Sequence, residues 1–293
     1  MYEEQTHYNQ TPIIKISIQD VLDFCYCSRY YKLRCDDNSI NEQELYDKCL
    51  HKVFYSYLRR LMDGYIDQKA IGYLKYLWGQ EWIKEKNRDD ILISMSSYHH
   101  SNYETKRRQG IHAITAFNNL LNDVPQTPLV IDYPWEVHIA GNIYLTGRWE
   151  YIREIEGENN PIIQLILINS SSNRAVTNAS LDHDLLATAM QYAFNQTFGN
   201  VANQLVYLDT VNERLRYSVR TSKDFELLKR TVISVALSLM NGIECVSMDR
   251  KCYYCEYRGK CSSSIGSDRN GNTMGFIRYT NNKEEEYHDE NEH

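Results

Sequence analysis

Ten residues near the end of this chain constrain it most: Cys252-Tyr-Tyr-Cys255-Glu-Tyr-Arg-Gly-Lys-Cys261, a C-x2-C-x5-C spacing. Thiolates with two residues between them on a turn converge on one centre, and soft sulfur selects an iron–sulfur cluster or zinc. Three sulfurs leave one ligand position open. Cys27 is the natural fourth ligand because it opens the distinctive stretch Cys27-Ser-Arg-Tyr-Tyr-Lys-Leu33; Cys25, two residues away, is its rival. A shared centre ties residue 27 to residues 252–261, which demands a fold in which both ends of the chain meet. Cys35, Cys49 and Cys245 are isolated and read as small apolar residues. Free thiols or metal ligands rather than disulfides are expected for the eight cysteines, since Met1 to Gln10 is polar and acidic and does not read as a secretory leader. The chain is therefore expected in the cytoplasm. No apolar run reaches about 18 residues, so no membrane-spanning helix is expected.

Between the cysteine segments the hydrophobic period switches from helical to strand-like at about residue 125 and alternates after it. Ser17 to Leu33 suits a helix running into a cysteine-rich turn, and Glu44 to Leu61 repeats Leu45, Cys49, Val53, Phe54, Tyr57, Leu58 and Leu61 at helical spacing. Tyr65 to Trp82 and Lys106 to Leu121 continue that pattern until Pro125 and Pro128. Strands follow at Leu129 to Tyr133, Trp135 to Ile139, Ile143 to Arg153 and Ile162 to Asn169. The last of them is almost unbroken Ile and Leu, the pattern of a central strand buried on both faces. Leu185 to Phe198 is helical, Asn203 to Leu208 and Arg214 to Arg220 are a strand pair, and Lys223 to Asn241 is a long helix. The expected class is α/β. Its divisions are an N-terminal extension (1–16), a helical half with the first cluster cysteine (17–128), a sheet core (129–245), the C-terminal cysteine motif (246–265) and a polar acidic tail (266–293).

Charge decides what partners such a chain can meet. The formal net charge is −7, which disfavours nucleic acid unless a local patch overrides it. Residues 281–293 carry six carboxylates against Lys283 alone, and this −5 leaves the rest of the chain at −2. Arg29, Lys32 and Arg34 cluster around Cys27 and Cys35, and Arg250, Lys251, Arg258 and Lys260 flank the C-terminal cysteines. If the cysteines converge, these cations form one surface interleaved with Tyr26, Tyr30, Tyr31, Tyr253, Tyr254 and Tyr257, able to meet phosphates and stack bases. The same tyrosines equally suit a shield around a cluster.

The ordered set of motifs resembles the iron–sulfur branch of the RecB-like PD-(D/E)XK nucleases, which includes the CRISPR adaptation exonucleases and the nuclease domains of AddB-type helicase–nucleases. An early cysteine in a C-x-R-x-(aromatic)-x-Leu setting pairs there with a C-terminal C-x2-C-x5-C. Cys49-Leu-His51-Lys-Val-Phe is similar to the helix bearing the family's active-site histidine. Glu136-x4-Gly141-x5-Gly147-Arg148-Trp149-Glu150 is similar to two strands ending in G-x-x-D, and Thr188-Ala-Met-Gln191-Tyr192 to the later Q-x-x-x-Y helix that contacts DNA. The resemblance runs from about Ser17 to Cys261. It implies a restriction-endonuclease-like core, a mixed central sheet flanked by helices, with an expanded N-terminal helical half. It further implies a [4Fe–4S] cluster on Cys27, Cys252, Cys255 and Cys261, with zinc as the alternative metal. By the same resemblance His51, Glu150, Thr188 and Tyr192 are the site residues.

Phosphodiester hydrolysis in such a core needs one or two hard cations held by carboxylates, and here the set is incomplete. The first acid is Glu150 in place of aspartate. The second strand, Ile162 to Asn173, contains no Asp, Glu or Lys, so Ile168 and Ser170 fall where the family has its acid and lysine, and Thr188 falls where it has glutamine. The expected protein is therefore a degenerate nuclease that binds DNA, single-stranded or at duplex ends, as a subunit of a nucleic-acid-processing or defence complex. Two alternatives remain. One is an active exonuclease, using Mg or Mn, in which Glu136, Asp182 or Asp184 supplies the second carboxylate. The other is a structural subunit that never touches DNA. His51, without its acids, reads more as a hydrogen-bonded core histidine than as a ligand.

Overall fold

The strand Ile162–Asn169 (β4) is the middle of a six-stranded mixed sheet. Its last six residues are all buried, as an unbroken apolar run requires. The computed structural model of the chain describes residues 12–37, 42–67, 70–86, 100–122, 124–158, 160–170, 178–199, 203–246, 252, 255–258, 260 and 261. In chain order its elements begin with β1 (Ile14–Ser17), α1 (Ile18–Tyr26), α2 (Ser28–Asp36), α3 (Glu42–Met62), α4 (Ile71–Lys86) and α5 (His100–Leu121). The strands β2 (Gln126–Ala140), β3 (Ile143–Ile155) and β4 follow, then α6 (Asn178–Asp182), α7 (Leu185–Phe198), β5 (Asn203–Asp209), β6 (Arg214–Ser218) and α8 (Ser222–Met240). The acidic tail and Arg250, Lys251, Tyr253 and Tyr254 lie outside the described residues.

The chain divides into two compact units, Met1–Gln19 with Ser39–Ser234, and Asp20–Asn38 with Val235–His293. The larger holds the sheet. Strand order is β1-β3-β4-β5-β6, parallel at β1·β3 and β4·β5 and antiparallel elsewhere, while β2 runs antiparallel along β3. Because β2 accompanies β3 throughout, β1 and β4 share its other edge. β1 takes Ile143 to Thr146 and β4 takes Tyr151 to Ile155. Residues Gly147 to Glu150 fall between the two registers, so the backbone of this G-x-x-E segment is paired on one side only.

Two sequence expectations change. A single helix over Ser17 to Leu33 is interrupted at Cys27, whose extended backbone (φ −172, ψ 125) separates α1 from α2. The two strands expected either side of Pro134 are one, β2, with register shifts at Pro128/Val130 and His138/Ala140. Within it Asp132 has φ 47, a left-handed conformation that costs a non-glycine residue on the order of 1–3 kcal/mol. Gly147 is needed for space: a Cβ there would lie 2.3 Å from the Trp135 ring.

One face of α3 fills the core of the larger unit. Leu45, Tyr46, Cys49, Leu50, Val53, Phe54, Tyr57 and Leu58 pack with Trp78 and Trp82 of α4, Ile114 and Phe117 of α5, and Tyr151, Ile166, Ile168, Val206 and Leu208 of the sheet. Phe54 and Phe117 stack at 4.0 Å between ring centroids. In the smaller unit few apolar side chains are buried among the described residues. They are Val21, Phe24, Val235, Ala236 and Tyr257.

Candidate functional site

The helix that packs the core also carries a polar residue at every fourth position: Gln43, Asp47, His51, Tyr55 and Arg59. At 3.6 residues per turn such a row forms a slowly winding stripe. Its two ends reach Ser170, which follows β4, and Asp132 of β2. Asp47 accepts from Gln43 Nε2 at 3.2 Å and from the Ser170 hydroxyl at 2.8 Å. His51 Nδ1 lies 3.1 Å from the Tyr55 hydroxyl. Arg59 Nη2 donates to Asp132 Oδ2 at 2.9 Å.

Glu150, the expected first acid, projects from β3 just before its pairing with β4 begins. The backbone amide of Ile168 donates to Glu150 Oε2 at 2.6 Å. This carboxylate therefore takes the place of a ladder partner at the point where the two strands separate. Ile168, aligned with the second acid, has its side chain in the apolar core, 6% exposed. Ser170, aligned with the lysine, is equally buried and bound to Asp47.

Arg148, two residues before Glu150, and Arg59 of α3 meet at Asp132. Arg148 Nε donates to Asp132 Oδ1 at 2.6 Å, and Arg148 Nη2 donates to the Asp132 carbonyl at 2.6 Å. Asp132 is thus held by Arg148 and Arg59 together. The Tyr55 phenol is pushed well above its usual range, first by burial and then by the charges of Glu150 and Asp132; Arg148 and Arg59 oppose the shift. The stripe and the Asp132 pair are absent from the sequence reading. The fourth-residue spacing along α3 was the available signal for the stripe.

At the carboxyl ends of the parallel pair β4·β5, a cavity of about 160 Å³ is lined by Tyr46, Gln109, His112, Ser170 and Thr210 among others. Asp209 beside it is fully buried and accepts from the backbone amides of Val211 and Asn212, both at 3.2 Å, and from the Asn212 side chain at 2.8 Å. This carboxylate shapes the β5–β6 turn.

Thr188 and Tyr192 occupy one buried face of α7, away from the stripe of α3. Thr188 Oγ1 donates to the Asp184 carbonyl at 2.8 Å and accepts from Arg220 Nε at 2.8 Å. Tyr192 donates to the His138 carbonyl at 3.4 Å. The carboxylates weighed as replacement ligands are engaged elsewhere. Glu136 pairs with Lys15 at 2.7 Å, Asp182 accepts from Ser218 Oγ at 3.2 Å, and Asp184 caps α7 through the Ala187 amide at 2.9 Å. Among the described residues no group of three or more His, Cys, Asp or Glu side chains is arranged to hold a metal ion.

The smaller unit brings the segment of Cys27 together with those of Cys252, Cys255 and Cys261. None of the eight cysteines is in a disulfide. Burial raises the Cys255 thiol most, and the neighbouring thiols of Cys261, Cys252 and Cys27 add to it. Cys25 is raised by burial alone. Cations of the patch meet acids: Arg29 and Lys32 reach Glu244 at 3.2 and 3.1 Å, Arg34 reaches Asp23 at 3.3 Å, and Lys260 reaches Asp37 at 3.1 Å. Tyr30 packs edge-on against Tyr26 and Tyr257 and donates to Glu256 at 3.1 Å.

A family model described as the PD-(D/E)XK nuclease superfamily matches residues 15–262. Among curated proteins there is no match. Among solved structures, the crystal structure of SSO0001 is similar with a TM-score of 0.35 and 13% identity, covering 87% of this chain and 89% of that chain. No helix among the described residues is long and apolar enough to cross a membrane.

Proposed function

We propose that this chain, which belongs to the PD-(D/E)XK nuclease superfamily, is a DNA-binding member that has lost the superfamily's chemistry and serves as a subunit of a larger nucleic-acid-processing assembly. The observation that carries the reading is the use made of the remnant centre. Glu150 binds the Ile168 amide, Ile168 is core, and Ser170 is tied to Asp47. Hydrolysis needs carboxylates converging on a hard cation, and each of these three positions is committed to folding.

A four-cysteine centre on Cys27, Cys252, Cys255 and Cys261 belongs to the same proposal, as a [4Fe–4S] cluster with zinc as the alternative. The donors are chemically suited, being four soft thiols. The four thiols are not arranged around a common point among the described residues. What supports the centre is that Cys261, Cys252 and Cys27 all lie near enough to Cys255 to act on its thiol, and that few apolar side chains are buried among the described residues of this unit. Cys27 is preferred to Cys25 because only Cys27 acts on the Cys255 thiol. The centre would be structural, holding α1 and α2 to the C-terminal segment.

A second reading has its own support. Ion pairing of Arg29, Lys32, Arg34 and Lys260 neutralises much of the patch expected to meet phosphate, which suits a protein-interaction subunit. Salt dependence of binding to single-stranded and end-bearing duplex DNA separates the two. The DNA-binding reading expects log K to fall linearly with log salt, each phosphate contact adding a slope of about 0.7–0.9. No binding at low salt removes that reading and leaves the second.

A further inference from the structure

We infer that Arg59 and Arg148 form a phosphate-binding site, which the carboxylate of Asp132 fills when no phosphate is present. Asp132 interrupts β2 with a left-handed backbone, φ 47, a conformation that needs a reason. Its effect is to turn both the carboxylate and the carbonyl toward arginine. Oδ2 accepts from Arg59 Nη2 at 2.9 Å, Oδ1 from Arg148 Nε at 2.6 Å, and the carbonyl from Arg148 Nη2 at 2.6 Å. Two guanidinium groups on separate elements, α3 and β3, thus converge on one anionic group.

That donor set suits phosphate. The guanidinium fork matches carboxylate and phosphate oxygens alike. Two arginines bind the one Asp132 carboxylate, and a phosphodiester replacing it would meet both. The side chains are accessible: Arg59 is 50% exposed, Arg148 55%, and Asp132 only 25%. The other acid nearby is Glu150, whose Oε2 is turned onto the Ile168 amide. The site adjoins the open Gly147–Glu150 segment, with His51 and Tyr55 beside it on α3. Phosphate can come from a DNA strand or as the free ion. Only the first source rests on the DNA-binding reading.

Asp132→Asn tests the site. Asparagine tolerates the left-handed backbone and keeps the size of the side chain, but it cannot neutralise the arginines. With inorganic phosphate as probe, the variant is expected to gain a phosphate-dependent rise in melting temperature larger than that of the unmodified chain. Adding Arg148→Ala should remove the gain. On DNA, the salt slope of the single variant should steepen by about one contact. A gain with inorganic phosphate but none with DNA supports the site and counts against the DNA-binding reading. A folded Asp132→Asn chain that binds neither probe better than the unmodified protein overturns the inference. Should that variant fail to fold, Arg148→Ala alone carries the test, with a loss of about one contact from the DNA slope expected and an unchanged slope contradicting it.

Discussion

Arg220→Ala is expected to lower the free energy of unfolding by about 3–5 kcal/mol, enough to leave much of the chain unfolded at physiological temperature. Arg220 is 7% exposed, and its guanidinium joins three segments of the larger unit. It donates to Thr188 Oγ1 at 2.8 Å on α7, to Ser218 Oγ at 2.5 Å at the end of β6, and to the carbonyls of Leu181 and Asp184 around α6. Ser218 in turn donates to Asp182. Alanine would strand buried acceptors, each costing about 1–3 kcal/mol when unsatisfied, and would leave a cavity. Arg220→Lys keeps the charge but cannot spread donors over four acceptors, so it should recover only part of the loss. Urea unfolding followed by tryptophan fluorescence measures both. A loss of less than about 1 kcal/mol for alanine contradicts this account of the network.

Cys255→Ser should have an effect of comparable size, confined to the smaller unit. Serine cannot supply the soft donor that an iron–sulfur or zinc centre requires, and structural metal centres contribute on the order of 10 kcal/mol to the folds they hold. Among its described residues the buried apolar side chains are Val21, Phe24, Val235, Ala236 and Tyr257, a small core to hold without the metal. Anaerobically purified protein should be brown, with stoichiometric iron and sulfide. The variant should be colourless and cut by protease within residues 20–38 and 235–261. Cys25→Ser, by contrast, should keep the colour. Bound zinc in a colourless parent protein moves the assignment to the zinc alternative. A metal-free parent as protease-resistant as the variant removes the centre altogether.

Much of the sheet was legible because its signals are local. Ile162–Asn169 needs no partner to be recognised, and Leu185–Phe198 matches its expected bounds, while the turn expected over Ala140–Asn142 is Gly141–Asn142 because Ala140 still belongs to β2. β1 was not legible: Ile-Lys-Ile-Ser is too short to show a period, and pairing with Ile143 to Thr146 defines it. The break at Cys27 carries no glycine or proline to mark it. The Asp132 geometry lies inside an ordinary strand pattern, and a backbone angle leaves no trace in such a pattern. The basic patch shows the limit most plainly. Its cations were visible as runs of one sign, while their partners Glu244, Asp23 and Asp37 are scattered along the chain and meet them only in the fold.

The central claim, a nuclease scaffold kept and its chemistry lost, is tested most directly by cleavage. End-labelled single-stranded and duplex DNA are incubated with the purified chain and either Mg²⁺ or Mn²⁺, with Glu150→Ala alongside. The predicted result is intact DNA in every lane, indistinguishable between the two proteins. Metal-dependent products that disappear with Glu150→Ala would contradict the claim and restore Glu150 as a working ligand.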